Sequence, residues 1–447
     1  MDPIPPESDS NEAPSVPYIG PQPSVEAQPS PIQETEKPLS TGKILAYSLA
    51  NFGYGAFYSL NNAVIPLYLN HFTHDARLKG LMASTHSFEG AVIQPLVGSA
   101  SDRLRTPLGR RRPFMLVFAP ISALLILLTP AAGRVVPHTA LPFIIGAIFL
   151  FTVSFNIAED PYKALMPDIT PERQRGKVSA VSQFVLVLGQ AGLLLLPLPI
   201  EFKFTLTAFL MIVTTLLTVW LVKEPSHPPT SEQPTPHLAA LRQAVGGLRT
   251  LRQAGLTLAG LFFSGLGIGA ILPFLTTFVK TITQCTDQQA EWMFLVLMIS
   301  TAVTVLPFGW LTDRLGPKRV LMIGMAFILV AALNGLWVTT LPQIMLVLCL
   351  AGIGNAAQTA SAYPLLTKVV PREEIGFYTG LQSTALSIAT PLTAVLTGEL
   401  VNKGGYRLIF AVCGVGLLIT LFFLTRVRLS VAVTEIATRN REQGQTA

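Results

Sequence analysis

Twelve apolar runs dominate this chain of 447 residues, each close to the roughly 20 residues that a helix needs to cross hydrocarbon. They lie near residues 43–70, 77–100, 114–133, 140–163, 178–200 and 203–222, then near 256–281, 287–311, 320–340, 342–366, 377–400 and 405–426. A bilayer core offers no water to backbone N–H and C=O groups, so such segments must close their hydrogen bonds internally, as helices. Composition agrees. Charged residues make up 13%, about half the roughly 25% of soluble domains, and mean hydropathy is +0.51. A soluble multidomain enzyme and a wholly disordered chain are both excluded.

The expected class is therefore an all-α membrane protein with twelve transmembrane helices. Residues 1–41, with ten prolines, seven acids and one lysine, read as a disordered tail rather than a cleaved leader. Residues 42–222 form an N-terminal six-helix half, 223–255 a polar linker, 256–426 a C-terminal six-helix half and 427–447 a second tail. Within the linker Leu238, Leu241, Val245, Leu248 and Leu251 fall opposite Arg242, Arg249 and Arg252, the pattern of a short helix on a membrane surface. Cys285, Cys349 and Cys413 have neither disulfide nor metal spacing and read as packing residues.

Basic residues set the orientation. With both termini inside, 24 of the 31 lysines and arginines fall on cytoplasmic segments and 7 outside. In a membrane chain the net charge of +6 marks those loops and nearby anionic lipid rather than nucleic acid.

Two segments recur between the halves. Gly98-Ser-Ala-Ser-Asp102-Arg103 matches Gly309-Trp-Leu-Thr-Asp313-Arg314, and Pro171 with Gly176 matches Pro371 with Gly376, at offsets of 211 and 200. Parallel six-helix repeats related about the membrane normal are the major facilitator architecture, and the chain resembles that superfamily over about residues 43–426. A narrower resemblance lies in Gln94-Pro-x-x-Gly98-x-x-x-Asp102-Arg103, in Gly109-Arg-Arg-Arg-Pro-Phe114 and in Pro161-Tyr-Lys163-Ala-Leu-Met-Pro-Asp168. These are similar to sucrose–proton symporters of the glycoside–pentoside–hexuronide:cation group, with Lys163 in place of that family's arginine. Sodium-coupled melibiose-type relatives place an Asp-x-x-x-Asp pair where Gly90 and Gln94 stand, so the resemblance implies protons rather than sodium. Thr152 stands where sucrose symporters carry a fourth-helix aspartate, so the coupling residue must be sought elsewhere.

Ionisable groups inside membrane helices are functional candidates by default. Glu89 lies near the middle of the second helix, with His86 one turn earlier; Glu159 and Asp160 lie lower in the fourth, with Lys163 one turn beyond Asp160. Burial disfavours a charged carboxyl, so such a group can take a proton on one side and release it on the other. Glu89 is placed slightly ahead by depth. The competing role for the helix-4 acids is a solvated helix end, and for His86 a packing residue. Asn51, Tyr54, Tyr58, Asn61, Asn62, Asn156, Lys163, Asn355, Gln358, Tyr363 and Gln382 are candidate substrate contacts, since amides beside aromatic rings suit a neutral polyhydroxyl ligand. Each has a competing role in gluing helices together. Asp102 and Asp313 are expected near the positive ends of helices in the opposite half. Together with Arg103, Arg110, Arg111, Arg112, Asp168 and Arg314 they make a candidate gate.

No Walker loop, dinucleotide fingerprint, zinc spacing or nucleophile elbow is present. The reading is a cofactor-free, monomeric secondary transporter of the cell membrane, coupling protons to sugar or glycoside uptake; the alternative is a proton-coupled exporter of amphipathic compounds. The charge asymmetry predicts that cysteines placed at Thr106 and Ser231 react with impermeant thiol reagents only from the cytoplasmic side. Labelling from outside intact cells overturns the orientation.

Overall fold

A computed structural model describes residues 38–135, 140–171, 174–224, 251–371 and 374–432, with the side chains of Glu89 and Asp102 outside that description. The tail before residue 38 and the linker surface helix fall outside it as well. The described chain is helical: α1 (Thr41–Ser59) runs through a π-helical turn (Leu60–Val64) into α2 (Ile65–Leu69), followed by α3 (Ala76–Arg103), α4 (Arg112–Val135), α5 (Ala140–Ile169), α6 (Arg175–Leu195) and α7 (Ile200–Leu221). The second half holds α8 (Arg252–Gly269), a 3₁₀ turn (Leu272–Phe274), α9 (Leu275–Thr283), α10 (Asp287–Leu315), α11 (Pro317–Gly335), α12 (Leu341–Thr367), α13 (Ile375–Gly404) and α14 (Leu408–Arg426). Among the described residues, ten stretches are long and apolar enough to span a membrane. The interrupted α1–α2 and the charge-bearing α3 complete twelve crossings. An even number returns the chain to the face it started from, hereafter the terminal face; the opposite one is the far face.

The sequence reads the first and seventh crossings as single runs, but both break. Pro66 and Pro273 have no N–H to offer the carbonyls of Asn62 and Gly269, four residues back, and the backbone adjusts through a π turn and a 3₁₀ turn. A carbonyl within the first break, that of Ala63, accepts a hydrogen bond from Thr276 Oγ1 of the seventh crossing at 3.1 Å. The two breaks therefore meet across the boundary between halves.

Between pairs of described residues, the hydrogen bonds and ion pairs that join the halves gather at the far face. Gly398 on α13 lets α3 come close: a Cβ there would stand 2.5 Å from the Arg77 Cα, and one at Gly80 would meet the Phe274 ring at 2.3 Å. The Asn402 amide then bridges the start of α3. Its Oδ1 accepts from the Ala76 N–H at 2.8 Å and its Nδ2 donates to Asp75 at 2.7 Å, while Asp75 caps the helix by accepting from the Arg77 N–H. Arg77 pairs with Glu399 at 3.1 Å, and the buried Lys79 donates to Asn70 and, across the halves, to Tyr406. Burial alone would raise the Asp75 carboxyl, but hydrogen bonds from Asn402 and Arg77 outweigh it and hold the group below its ordinary value. A carboxyl depressed in this way stabilises the closed far face above its ordinary range, and that contribution is lost as pH falls through the lowered value.

Also at the far face, Lys203 of α7 and Glu291 of α10 form an ion pair whose side chains are each 1% exposed. Gln288 accepts from Lys203 at 3.1 Å and donates to the Leu194 carbonyl at 2.7 Å. Separating a buried pair leaves an uncompensated charge, which typically costs about 3–5 kcal/mol. Lys203→Met should therefore lower the melting temperature in detergent sharply, and the Lys203→Met/Glu291→Met double variant should recover most of the loss. Equal losses in the single and double variants would contradict the pairing.

Candidate functional site

The fourth crossing carries its charges inside the bundle rather than on a solvated end. Glu159 of α5 is 2% exposed and Asp160 is 8% exposed. Adjacent helix positions diverge by about 100°, and the two acids meet different neighbours. Glu159 accepts from the Tyr58 hydroxyl of α1 at 2.5 Å and from Lys163 Nζ at 2.8 Å. Asp160 lies within hydrogen-bonding reach of Gln94 on α3, and its Oδ2 accepts nothing among the described residues. The expected Asp160–Lys163 pair is thus replaced by Glu159–Lys163, one residue further apart. The pair is lopsided: the lysine side chain is 51% exposed and the carboxylate 2%.

His86 of α3 completes the cluster. Its ring meets Tyr58 edge to face at 4.9 Å between centroids and packs against Phe155. Asn156 donates to its backbone carbonyl at 3.3 Å, and its Nδ1 finds no partner among the described residues. An aromatic layer supports these groups. Phe57 stacks on Phe155 at 3.6 Å, Tyr54 meets Phe155 and Tyr162 by its edge, and Tyr47 stacks on Tyr162 at 4.7 Å. Three crossings thus fix Tyr58, His86, Asn156, Glu159 and Lys163 in one place, with Asp160 beside them.

Other candidates of the first helix turn inward. Asn51 donates to the Ser182 carbonyl of α6 at 3.1 Å, and Asn61 to the Ala83 carbonyl of α3 at 2.9 Å. Tyr54 is fully buried, and Asn62 is half-buried in the π turn. In the second half Gln358 donates to Ser264 of α8 at 3.2 Å and Asn355 to Thr301 of α10 at 3.4 Å. The Oε1 atoms of Gln358 and Gln382 are buried without a donor among the described residues, and Tyr363 is exposed.

The arginine loop makes several bonds among the described residues. Arg110 and Arg111 both donate to Asp168, Arg111 N–H also donates to Glu224, and Arg112 donates to the Val219 and Leu108 carbonyls. Each of those described partners lies in the same half, so these bonds knit α4, α5 and the end of α7 together. Arg103 and Asp313 are exposed. Arg314 lies over the Trp310 ring at 3.8 Å.

The family model for the Major Facilitator Superfamily matches residues 47–259 and again 257–444. The chain belongs to the Major Facilitator Superfamily. It is 31% identical over 116 residues to a sucrose transport protein of Arabidopsis thaliana, covering 24% of this chain and 22% of that one. It is 26% identical over 178 residues to a multi-drug resistance efflux pump homologue of Lactococcus lactis, covering 38% and 42%. A third match, 26% identical over 153 residues, is to an uncharacterised transporter of Methanocaldococcus jannaschii, covering 34% and 39%. The chain thus spans less than half the length of each of these relatives. Among solved structures it is similar to a D-xylose–proton symporter (TM-score 0.68, 13% identity, 87% of this chain and 98% of that one). It is also similar to the inward-open xylose transporter of Escherichia coli (TM-score 0.62, 12% identity, 85% and 95%). These likenesses show the fold alone.

Set on the major facilitator frame, the residues that sequence reasoning misses are those of the far face. By sequence Lys79 and Lys203 count only as basic residues outside, and Glu291, Gln288, Asn402 and Tyr406 carry no motif. A lysine in the opening turns of an apolar run is the one available signal, because such a charge must be paired. Glu224, a partner of Arg110 and Arg111, reads by sequence as part of the polar linker.

Proposed function

We propose that this chain is a proton-coupled symporter of a sugar or glycoside, working by alternating access with both termini in the cytoplasm. The observation that carries the reading is the buried Glu159 carboxylate held by Tyr58 and by a half-exposed Lys163. A proton arriving at Glu159 takes the place of Lys163, which is released to bind a substrate oxygen. Loss of the proton draws the lysine back and discharges the substrate. His86, one ring from Tyr58 and with a nitrogen that has no partner among the described residues, offers a second proton acceptor in the cluster. Gln358 and Gln382 supply amides for hydroxyl groups, and their acceptors, without a donor among the described residues, suit hydroxyl donors. The similarity to a sucrose transport protein supports this choice of cargo.

A second reading, proton-driven export of amphipathic compounds, is favoured by the similarity to a multi-drug efflux pump homologue. Direction of coupling separates the two. In proteoliposomes with an imposed pH gradient, the parent should accumulate labelled sucrose or an alkyl glucoside with proton influx, whereas export requires opposite flows. Glu159→Gln mimics the protonated acid. It should abolish gradient-driven accumulation while leaving substrate binding within a few-fold of the parent and permitting exchange. Glu89→Gln and Asp160→Asn serve as comparisons. If Glu159→Gln still accumulates substrate and either comparison does not, coupling belongs to that other acid.

A further inference from the structure

The C-terminal half contains a cavity of about 80 Å³ lined by residues of α8, α10, α11, α12 and α14. Its walls are apolar: Ile271, Leu297, Ile328, Leu348 and Phe410 are typical, Cys413 also lines it, and Asn355 is the single amide among its lining residues. Close-packed interiors hold few voids larger than a water molecule, and apolar cavities of this kind stay dry and take up small apolar ligands.

Its position relative to polar groups is regular. Ser264, Thr301, Asn355 and Gln358 form a polar layer joined by the Gln358–Ser264 and Asn355–Thr301 hydrogen bonds. One turn away from that layer, on each of the same three helices, stands a cavity wall: Ile268 after Ser264 on α8, Leu297 before Thr301 on α10, and Ala351 before Asn355 on α12. Since α8 runs toward the far face while α10 and α12 run away from it, all three steps lead in the same direction. The cavity therefore lies directly beyond the polar layer on its far-face side. A ligand held at this layer by Asn355, whose amide lies on the cavity wall, would have its next atoms beside an apolar chamber.

We propose that this chamber is a subsite for a small uncharged alkyl group, so that the preferred cargo is a glycoside bearing a short apolar substituent rather than a free sugar. The proposal rests on the sugar reading above and adds a size limit to it. The chamber has about half the volume of the ~150 Å³ apolar cavity that takes up benzene or xenon. It suits a few carbons, not a long chain.

The test is binding of an alkyl β-glucoside series from methyl to octyl to the full-length protein. Each methylene buried should raise affinity about fourfold, from methyl to propyl or butyl, after which the gain should stop. Ala351→Leu should flatten the series while binding the methyl glucoside as the parent does. In a Cys285→Ser/Cys349→Ser background, butyl glucoside should slow modification of Cys413 by methyl methanethiosulfonate several-fold, and methyl glucoside should not. A series that is flat in the parent overturns the subsite and leaves the sugar reading standing. One that climbs steadily to octyl without Cys413 protection reports partition into lipid and likewise overturns it. If no glucoside binds, methyl included, the sugar reading falls and the subsite falls with it.

Discussion

A charge inside a bilayer must be paired, and this requirement organises the bundle more than any single packing contact. Lys203 meets Glu291, Lys79 is held by Asn70 and Tyr406, and Glu159 is held by Lys163 and Tyr58. The first two groups lie between the halves and the third within one half. In the proposed mechanism, that division separates what comes apart during transport from what changes its protonation. The far-face pairs hold the halves together only while they remain dry. When the far face opens, water can solvate both partners, so the cost of separation falls below that of an uncompensated buried charge. The Glu159 cluster needs no such opening, because Lys163 already reaches the more exposed side.

Backbone constraints place these charges where they act. The two broken crossings meet at Thr276 and Ala63, close to the glycines that bring α3 against Phe274 and α13. Small residues at helix contacts let backbones approach, and polar side chains then add modest hydrogen bonds, typically about 0.6–2 kcal/mol each. The far face thus carries many weak ties and one strong one, a seal that can be tight without being irreversible.

Much of this is legible in the sequence. The twelve runs, the six-plus-six repeat and the acids of the fourth helix follow from hydropathy, spacing and the rarity of charge in such segments. The breaks near Pro66 and Pro273 are not, because a proline in a membrane helix is tolerated whenever neighbouring groups satisfy the freed backbone, and the irregular turns near Pro66 and Pro273 appear only in the folded helices. Asn51 and Asn61 cannot be told from substrate contacts by type or spacing; their partners, the Ser182 and Ala83 carbonyls, appear only once helices pack. The arginines of residues 110–112 are legible as charge but not as partners, since Glu224 and Asp168 come to them only when α7 and α5 close on the loop. Lys203 and Glu291 are 88 residues apart, and nothing local links them.

Distance across the far face tests the account most directly. Spin labels at His74 and Lys403, both exposed and on opposite halves, can be placed in a chain whose three native cysteines are replaced by serine. Pulsed electron–electron resonance near neutral pH should show a dominant short distance. Acidification to below the ordinary carboxylate range should add a longer one, as Asp75 loses its hydrogen-bonded charge. The ratio of the two populations should shift again on adding substrate. A single distance, unchanged by pH and by every glucoside that binds, would contradict the account.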